Sequence, residues 1–238
     1  MKALIFDVDG TLAETEDLHR RAFNAAFADA GLPWHWDGEL NRLLLTVSGG
    51  IERMSFFQSR LPEAERVELE TLHAVYQSKR SHFARILSAG KLTLRAGVGP
   101  LISAGREAGL LSAIVTAARR PSFDEVARTC LPEPAEAMFD VVITGSDVSA
   151  KKPDPEGYLT ALARLDVRAE EALVFEDSPV GFAAARAAGI PVVVCPSDFG
   201  PRDADFSGAL AVVPSLEPVH WARFGFPPSA SAVAAVQK

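Results

Sequence analysis

The sequence predicts an α/β fold: a doubly wound, Rossmann-like parallel sheet with an all-helical cap inserted into it. Three observations lead there. Short apolar runs recur without polar alternation, as strands covered on both faces by helices require. Segments with apolar residues at helical spacing lie between them. About a hundred residues of helical pattern separate the first run from the second, against the dozen or so that a crossover needs.

The strands are expected at 3–6, 111–115, 141–144, 172–175, 190–194 and 210–213. Helical spacing at 98–108, 121–130, 154–164 and 178–188 supplies the crossovers, and Gly109 and Gly189 stand where a left-handed helix stop is wanted. Ser178 suits the N-cap of the last of these helices. Within the long gap, 16–30 carries Leu18, Ala22, Ala25, Ala26 and Ala30 ahead of Gly31, and further helical patterns run over 37–46, 50–59 and 63–88. The last carries Val67, Leu72, Val75, Tyr76, Phe83 and Leu87, and its acidic run Glu63, Glu65, Glu68, Glu70 reads as a solvated face. Trp34 and Trp36 read as anchors of the cap's own core rather than as a sugar platform. The expected boundaries are a core domain of 1–15 and 92–215, a cap of 16–91 and a partly flexible tail of 216–238. The cap is expected to move as a body on two crossings, 13–16 and 89–97, with Gly90 and Gly97 absorbing the rotation.

The 238 residues are 48% hydrophobic and 23% charged, with a net charge of −7 and 2 cysteines. Disordered, collagenous and disulfide-stapled chains are excluded by that profile, and Cys130 and Cys195 read as buried thiols. Without a basic stripe, nucleic acid is not an expected partner. No run of about 18 apolar residues is present to span a membrane, and Asp7 and Asp9 interrupt the N-terminal apolar stretch before a signal sequence could form. A cytoplasmic protein is expected, and a monomer is compatible with the sequence.

In an open parallel sheet, ligands bind beyond the carboxyl ends of the strands. Four polar clusters occupy such positions: Asp7-Val8-Asp9-Gly10-Thr11, Thr116, Lys151-Lys152-Pro153 and Glu176-Asp177-Ser178. Carboxylates crowded there repel by about 4 kcal/mol per pair at 4 Å and an effective dielectric near 20, so a cation belongs among Asp7, Asp9, Glu176 and Asp177. Oxygen ligands without His or Cys specify a hard ion, and Mg2+ fits because it bridges carboxylates to phosphate. Lys152 adds a second cation and Thr116 a hydroxyl, which together cradle a phosphate dianion.

These four clusters, in order and with a helical insertion between the first and second, resemble the motifs of the haloacid dehalogenase (HAD) superfamily of phosphatases and phosphomutases. Ala13-Glu14-Thr15-Glu16, His19-Arg20, Ala22-Phe23-Asn24, Trp34-His35-Trp36-Asp37 and Gly49-Gly50-Ile51-Glu52-Arg53 are further similar to its CbbY-type group, phosphatases of xylulose 1,5-bisphosphate associated with Calvin-cycle operons. Ile51 stands where that group's pattern has a lysine, so one expected contact to substrate is missing, and Arg53 or Arg119 is expected to take its place.

The resemblance implies Asp7 as nucleophile, Asp9 as general acid and base, and Lys152 as the charge that screens Asp7 from the incoming phosphate. It also implies Mg2+ on the Asp7 and Asp177 carboxylates and the Asp9 carbonyl, with Glu176 acting through a bound water. Thr15, Glu16 and His19 are expected to meet the sugar, although Glu16 and His19 are also spaced as an ordinary helix-surface pair. Gly49, Gly50, Glu52 and Arg53 are expected at the substrate, with Arg53 gripping a second phosphate or the sugar, or the glycines could merely punctuate two helices. Ala117, Ala118 and Arg119 are expected on the leaving-group side. The expected function is a Mg2+-dependent phosphatase of a small phosphosugar, most specifically xylulose 1,5-bisphosphate. A β-phosphoglucomutase-like mutase is the alternative, and a non-enzymatic phosphate-binding module is a more distant one.

Overall fold

Six parallel strands form one sheet in the order β3-β2-β1-β4-β5-β6: β1 (Ala3–Phe6), β2 (Leu111–Val115), β3 (Val141–Ile143), β4 (Ala172–Glu176), β5 (Val192–Val194) and β6 (Ala211–Val212). This computed structural model describes residues 1–90 and 92–226. Helices cover both faces, as the unbroken apolar runs require. Alternate residues of β1 diverge, Leu4 and Phe6 to one cluster with Phe123, Phe175 and Trp221, and Ala3 and Ile5 to another with Tyr158, Val174 and Phe182. The order reverses at β1, which creates a switch point where β1 and β4 part company with their crossovers. Register then dictates the site: Phe6 pairs with Phe175, so the next residues, Asp7 and Glu176, leave the sheet side by side.

The insertion comprises α1 (Glu16–Asp29), α2 (Gly38–Leu44), α3 (Gly50–Gln58) and α4 (Leu69–Ala89). Trp34, Trp36, Phe23, Phe27, Phe57 and Leu72 form its own buried cluster, in which the Trp36 ring lies 4.5 Å from Phe23 and 5.1 Å from Phe27. The other helices are α5 (Val98–Glu107), α6 (Arg120–Cys130), α7 (Ala135–Met138), α8 (Glu156–Leu165) and α9 (Pro179–Ala187). Ser178 caps α9 by accepting from Gly181 N at 3.1 Å. Gly109 and Gly189 hold φ +70° and +76° as helix stops.

Three expectations need correction. The helix expected at 63–88 starts only at Leu69, because Gln58 Oε1 takes the Val67 amide (3.0 Å) and Arg66 Nε donates to the Leu61 carbonyl (2.9 Å), bonds that hold 66–68 extended. Glu63 and Glu65 lie on a separate 3-10 turn, exposed as expected. Cys195 is buried but Cys130 only partly so. Residues 216–226, assigned to a flexible tail, instead close the core: Leu216, Trp221, Phe224 and Phe226 are buried, and Trp221 Nε1 donates to Leu216 O at 2.7 Å. Residues 227–238 lie outside the described residues. Among the described residues, no helix is long and apolar enough to cross a membrane.

Candidate active site

At the carboxyl end of the sheet, Asp7, Glu176 and Asp177 present carboxylate oxygens within 4.8 Å of one another, all buried. At that separation each pair of charges repels by about 3 kcal/mol at an effective dielectric near 20. Among the described residues Lys152 is the one ammonium in direct contact with them, donating to Asp7 Oδ1 at 2.5 Å, Glu176 Oε1 at 2.6 Å and the Val115 carbonyl at 2.8 Å. Burial would lower the Lys152 pKa, but Asp7 and Glu176 outweigh it and hold the amine charged well above its ordinary value. Burial raises Asp7 and Asp177 well above the ordinary carboxylate range; for Asp7 the Lys152 charge only partly opposes this, and for Asp177 the charges of Asp7 and Glu176 add to it. Three carboxylates against one lysine leave a deficit of positive charge, and an all-oxygen donor set of this kind suits a hard divalent ion. Glu176 is the most committed of the three, since Tyr158 Oη also donates to its Oε1 at 2.6 Å. A Cβ on Gly10 (φ +84°) would lie 2.2 Å from Asp177 Oδ2, so the turn after Asp9 needs glycine both for its backbone and for the approach of that carboxylate.

Asp9 leaves this cluster and turns to the cap. Its Oδ1 accepts from Thr15 Oγ1 at 2.6 Å and from His19 Nε2 at 3.3 Å. Burial would raise the Asp9 pKa, but the hydrogen bond and charge of His19, then Thr15, outweigh it and hold the group down at about 2. His19 Nδ1 lies 2.8 Å from Lys79 Nζ, and the His19 ring stacks on Phe83 at 4.0 Å. With the lysine donating to Nδ1, the imidazole proton sits on Nε2 and points at Asp9. Burial first, then the charge of Arg53, lowers Lys79 to about 7. Glu16 is buried beside Arg53 Nη1 at 3.7 Å, so Glu16 and His19 are not a surface pair.

The pocket between sheet and cap is lined by Asp7, Asp9, Glu16, His19, Gly49, Gly50, Arg53, Thr116, Ala117, Ala118, Arg119, Lys152 and Asp177, bringing most of the expected residues together. Thr116 Oγ1 accepts the Ala118 amide at 3.1 Å, which leaves its own hydrogen to donate. Thr15 sits behind Asp9, and Glu52, not itself a lining residue, lies 3.9 Å from Nζ of Lys151, which is one. Gly50 and Arg53 share the pocket face of α3, whereas Ile51 packs with the cluster that buries Met54. The side chain at 51 therefore packs toward the cap cluster and is not part of the pocket lining. Lys79, Tyr158 and Arg95 went unmarked in the sequence. Lys79 had a visible signal, a lone cation in the stripe Leu72, Val75, Lys79, Phe83, Leu87.

A family model for haloacid dehalogenase-like hydrolases matches residues 1–189. Protein CbbY (plasmid) of Cupriavidus necator is 46% identical over 219 residues, covering 91% of this chain and 86% of that protein. CbbY from Rhodobacter sphaeroides superposes with a TM-score of 0.84 at 39% identity, over 91% of this chain and 95% of that one, in a crystal structure with phosphate. A mutant of the same protein, at 38% identity and TM-score 0.84 over the same shares, was crystallised with xylulose-(1,5)bisphosphate. The phosphorylated carbohydrates phosphatase of Thermotoga maritima is 32% identical over 191 residues, 80% of this chain and 82% of that one.

Proposed function

Because the chain belongs to the haloacid dehalogenase-like hydrolases, we propose that it is a Mg2+-dependent phosphatase of a small phosphosugar, acting through an aspartyl phosphate on Asp7, with the 1-phosphate of xylulose 1,5-bisphosphate as the group removed. The observation that carries this reading is the pair of cationic zones in one pocket: Lys152 beside Asp7, and Arg53, Lys79 and Arg119 around the remainder. A sugar bisphosphate has one anion for each. The CbbY relatives, one of them crystallised with that bisphosphate, support the same substrate class.

Asp7 Oδ attacks phosphorus as the bond to the sugar oxygen breaks, and Asp9 gives that oxygen its proton. In the free site Asp9 is ionised, since His19 and Thr15 hold its pKa near 2; the dianionic phosphate opposes both effects and lets Asp9 carry the proton it must donate. Ionised again, Asp9 takes a proton from water, which attacks phosphorus and releases inorganic phosphate from Asp7. Lys152 holds Asp7 in place and screens it from the phosphate, while Tyr158 and Lys152 together keep Glu176 oriented. Asp7, Asp177 and the Asp9 carbonyl would hold Mg2+, with Glu176 reaching it through water. Bound there, the ion neutralises the carboxylate cluster and the phosphoryl oxygens.

The test is product analysis with xylulose 1,5-bisphosphate and Mg2+. One inorganic phosphate and one xylulose 5-phosphate per turnover, abolished by EDTA, are expected. An isomeric phosphosugar in place of inorganic phosphate would turn the assignment to a mutase.

A further inference from the structure

The two crossings between sheet and cap meet at one guanidinium. Arg95, in the second crossing, donates from Nη1 to the Gly10 carbonyl and to Cys195 O at 2.8 Å, and from Nη2 to Pro196 O at 2.8 Å. Its Nε faces Glu14 Oε1 of the first crossing at 2.9 Å. Glu14 Oε2 in turn accepts from Ser197 Oγ at 2.7 Å, and Arg95 N donates to Leu12 O at 2.8 Å. One side chain thus ties the turn after Asp9, both crossings and the loop after β5, whose Gly200 and Pro201 line the pocket.

Past Arg95 the chain is fused to the core. Leu216 N donates to Ala96 O at 3.1 Å, and a Cβ on Gly97 (φ +84°) would lie 2.0 Å from the Leu216 carbonyl carbon. Gly97 is pinned there and is no hinge, contrary to the sequence expectation. Gly90, by contrast, ends α4 with only the Ile86 carbonyl near a Cβ, at 3.4 Å.

We propose that Arg95 is a positioning residue which, with Glu14, forms a fixed pivot isolating the Asp9–Gly10 backbone and the 195–201 loop from movement of the cap. The pivot is needed because Thr15 and His19 grip the Asp9 carboxylate from the cap side, so any rotation of the cap pulls on Asp9. Passed on to the backbone, that pull would displace Asp9 relative to Asp7, and a 1 Å misplacement costs on the order of 10²-fold in rate. A lysine cannot substitute: its donors share one nitrogen, whereas the acceptors here are spread around a planar fork.

The kinetic arm of the test rests on the phosphatase reading; the hydrogen-exchange arm does not. In Arg95→Lys, amides of 10–14 and 195–201 are expected to exchange roughly tenfold faster while those of α8 keep their rate. With xylulose 1,5-bisphosphate, kcat is expected to fall roughly tenfold or more with KM changed less than about threefold. Glu14→Gln, which keeps the side-chain shape and the Ser197 partner, is expected to give the same pattern at smaller amplitude. Unchanged exchange in those two segments, or acceleration spread equally over α8, would overturn the pivot, as would an unchanged kcat in an enzyme that does hydrolyse the bisphosphate.

Discussion

Lys79 offers the sharpest perturbation of the site. Its ammonium is buried with two phenyl rings at 4.7 and 5.0 Å and a histidine nitrogen at 2.8 Å, with no carboxylate in direct contact. The fall from 10.5 to about 7 corresponds to roughly 5 kcal/mol spent on holding the charge. Between those two values the unfolded chain binds the proton and the folded one does not, so this residue makes stability rise with pH across that window. A substrate phosphate reverses the preference, because a dianion in the pocket favours the charged lysine. Two effects of opposite sign follow for Lys79→Met: a higher Tm at neutral pH, and a loss of kcat/KM of about 1.5–3 kcal/mol, or roughly 10- to 150-fold, for one charge-assisted hydrogen bond. In the unmodified enzyme kcat/KM should also decline as pH rises through about 7, and that decline should vanish in the methionine variant. Steady-state kinetics from pH 6 to 9, with thermal melts at each pH, measure both. A decline that survives in Lys79→Met, or a variant that is both less stable and equally active, would refute the reasoning.

Asp7→Asn is expected to fold and bind phosphate but to release none from the sugar, checked by single-turnover phosphate assay, because an amide is no nucleophile. Asp9→Asn should keep metal affinity through its unchanged carbonyl and lose about 10² to 10⁴ in kcat, measured beside a Mg2+ titration. Ile51→Lys should lower Tm by replacing an apolar side chain packed against the cap cluster with an ammonium, at a cost of about 1–3 kcal/mol, and leave the specificity constant no higher. Tyr158→Phe removes one of the two donors to Glu176 Oε1, and a loss of about 1–3 kcal/mol in stability is expected by denaturant titration.

β1 and β2 follow the sequence reading residue for residue, because each is a short apolar-rich run that ends at a polar residue, Asp7 after Ala3–Phe6 and Thr116 after Leu111–Val115. The clusters at Asp7, Thr116 and Glu176 were legible for a related reason, each lying at the end of a buried strand, whereas Lys151-Lys152-Pro153 follows β3 only after a loop. The cap side was harder. Lys79 was read past because a helix is judged by its apolar positions, and the one misfit in the stripe is the residue that reaches His19. The motif around Ile51 could not show which of its residues face the pocket, because a helix turns adjacent residues to different faces and Ile51 packs on the cap cluster. Leu216, Trp221, Phe224 and Phe226 were hidden in a segment read as a partly flexible tail, and it is the sheet cluster that gives them a place to be buried.

The distribution of the three tryptophans equips the molecule with separate optical reporters. Trp34 and Trp36 emit from within the inserted helices, and the Trp36 Nε1 is buried without a hydrogen-bond partner, in a dry setting that shifts emission to the blue. Trp221 sits instead in the cluster packed on the sheet, edge-on to Phe226 with its indole N–H engaged by a carbonyl. A denaturation followed by fluorescence alone can thus register the two hydrophobic clusters as distinct signals, and Trp221→Phe leaves a protein whose light reports on the cap.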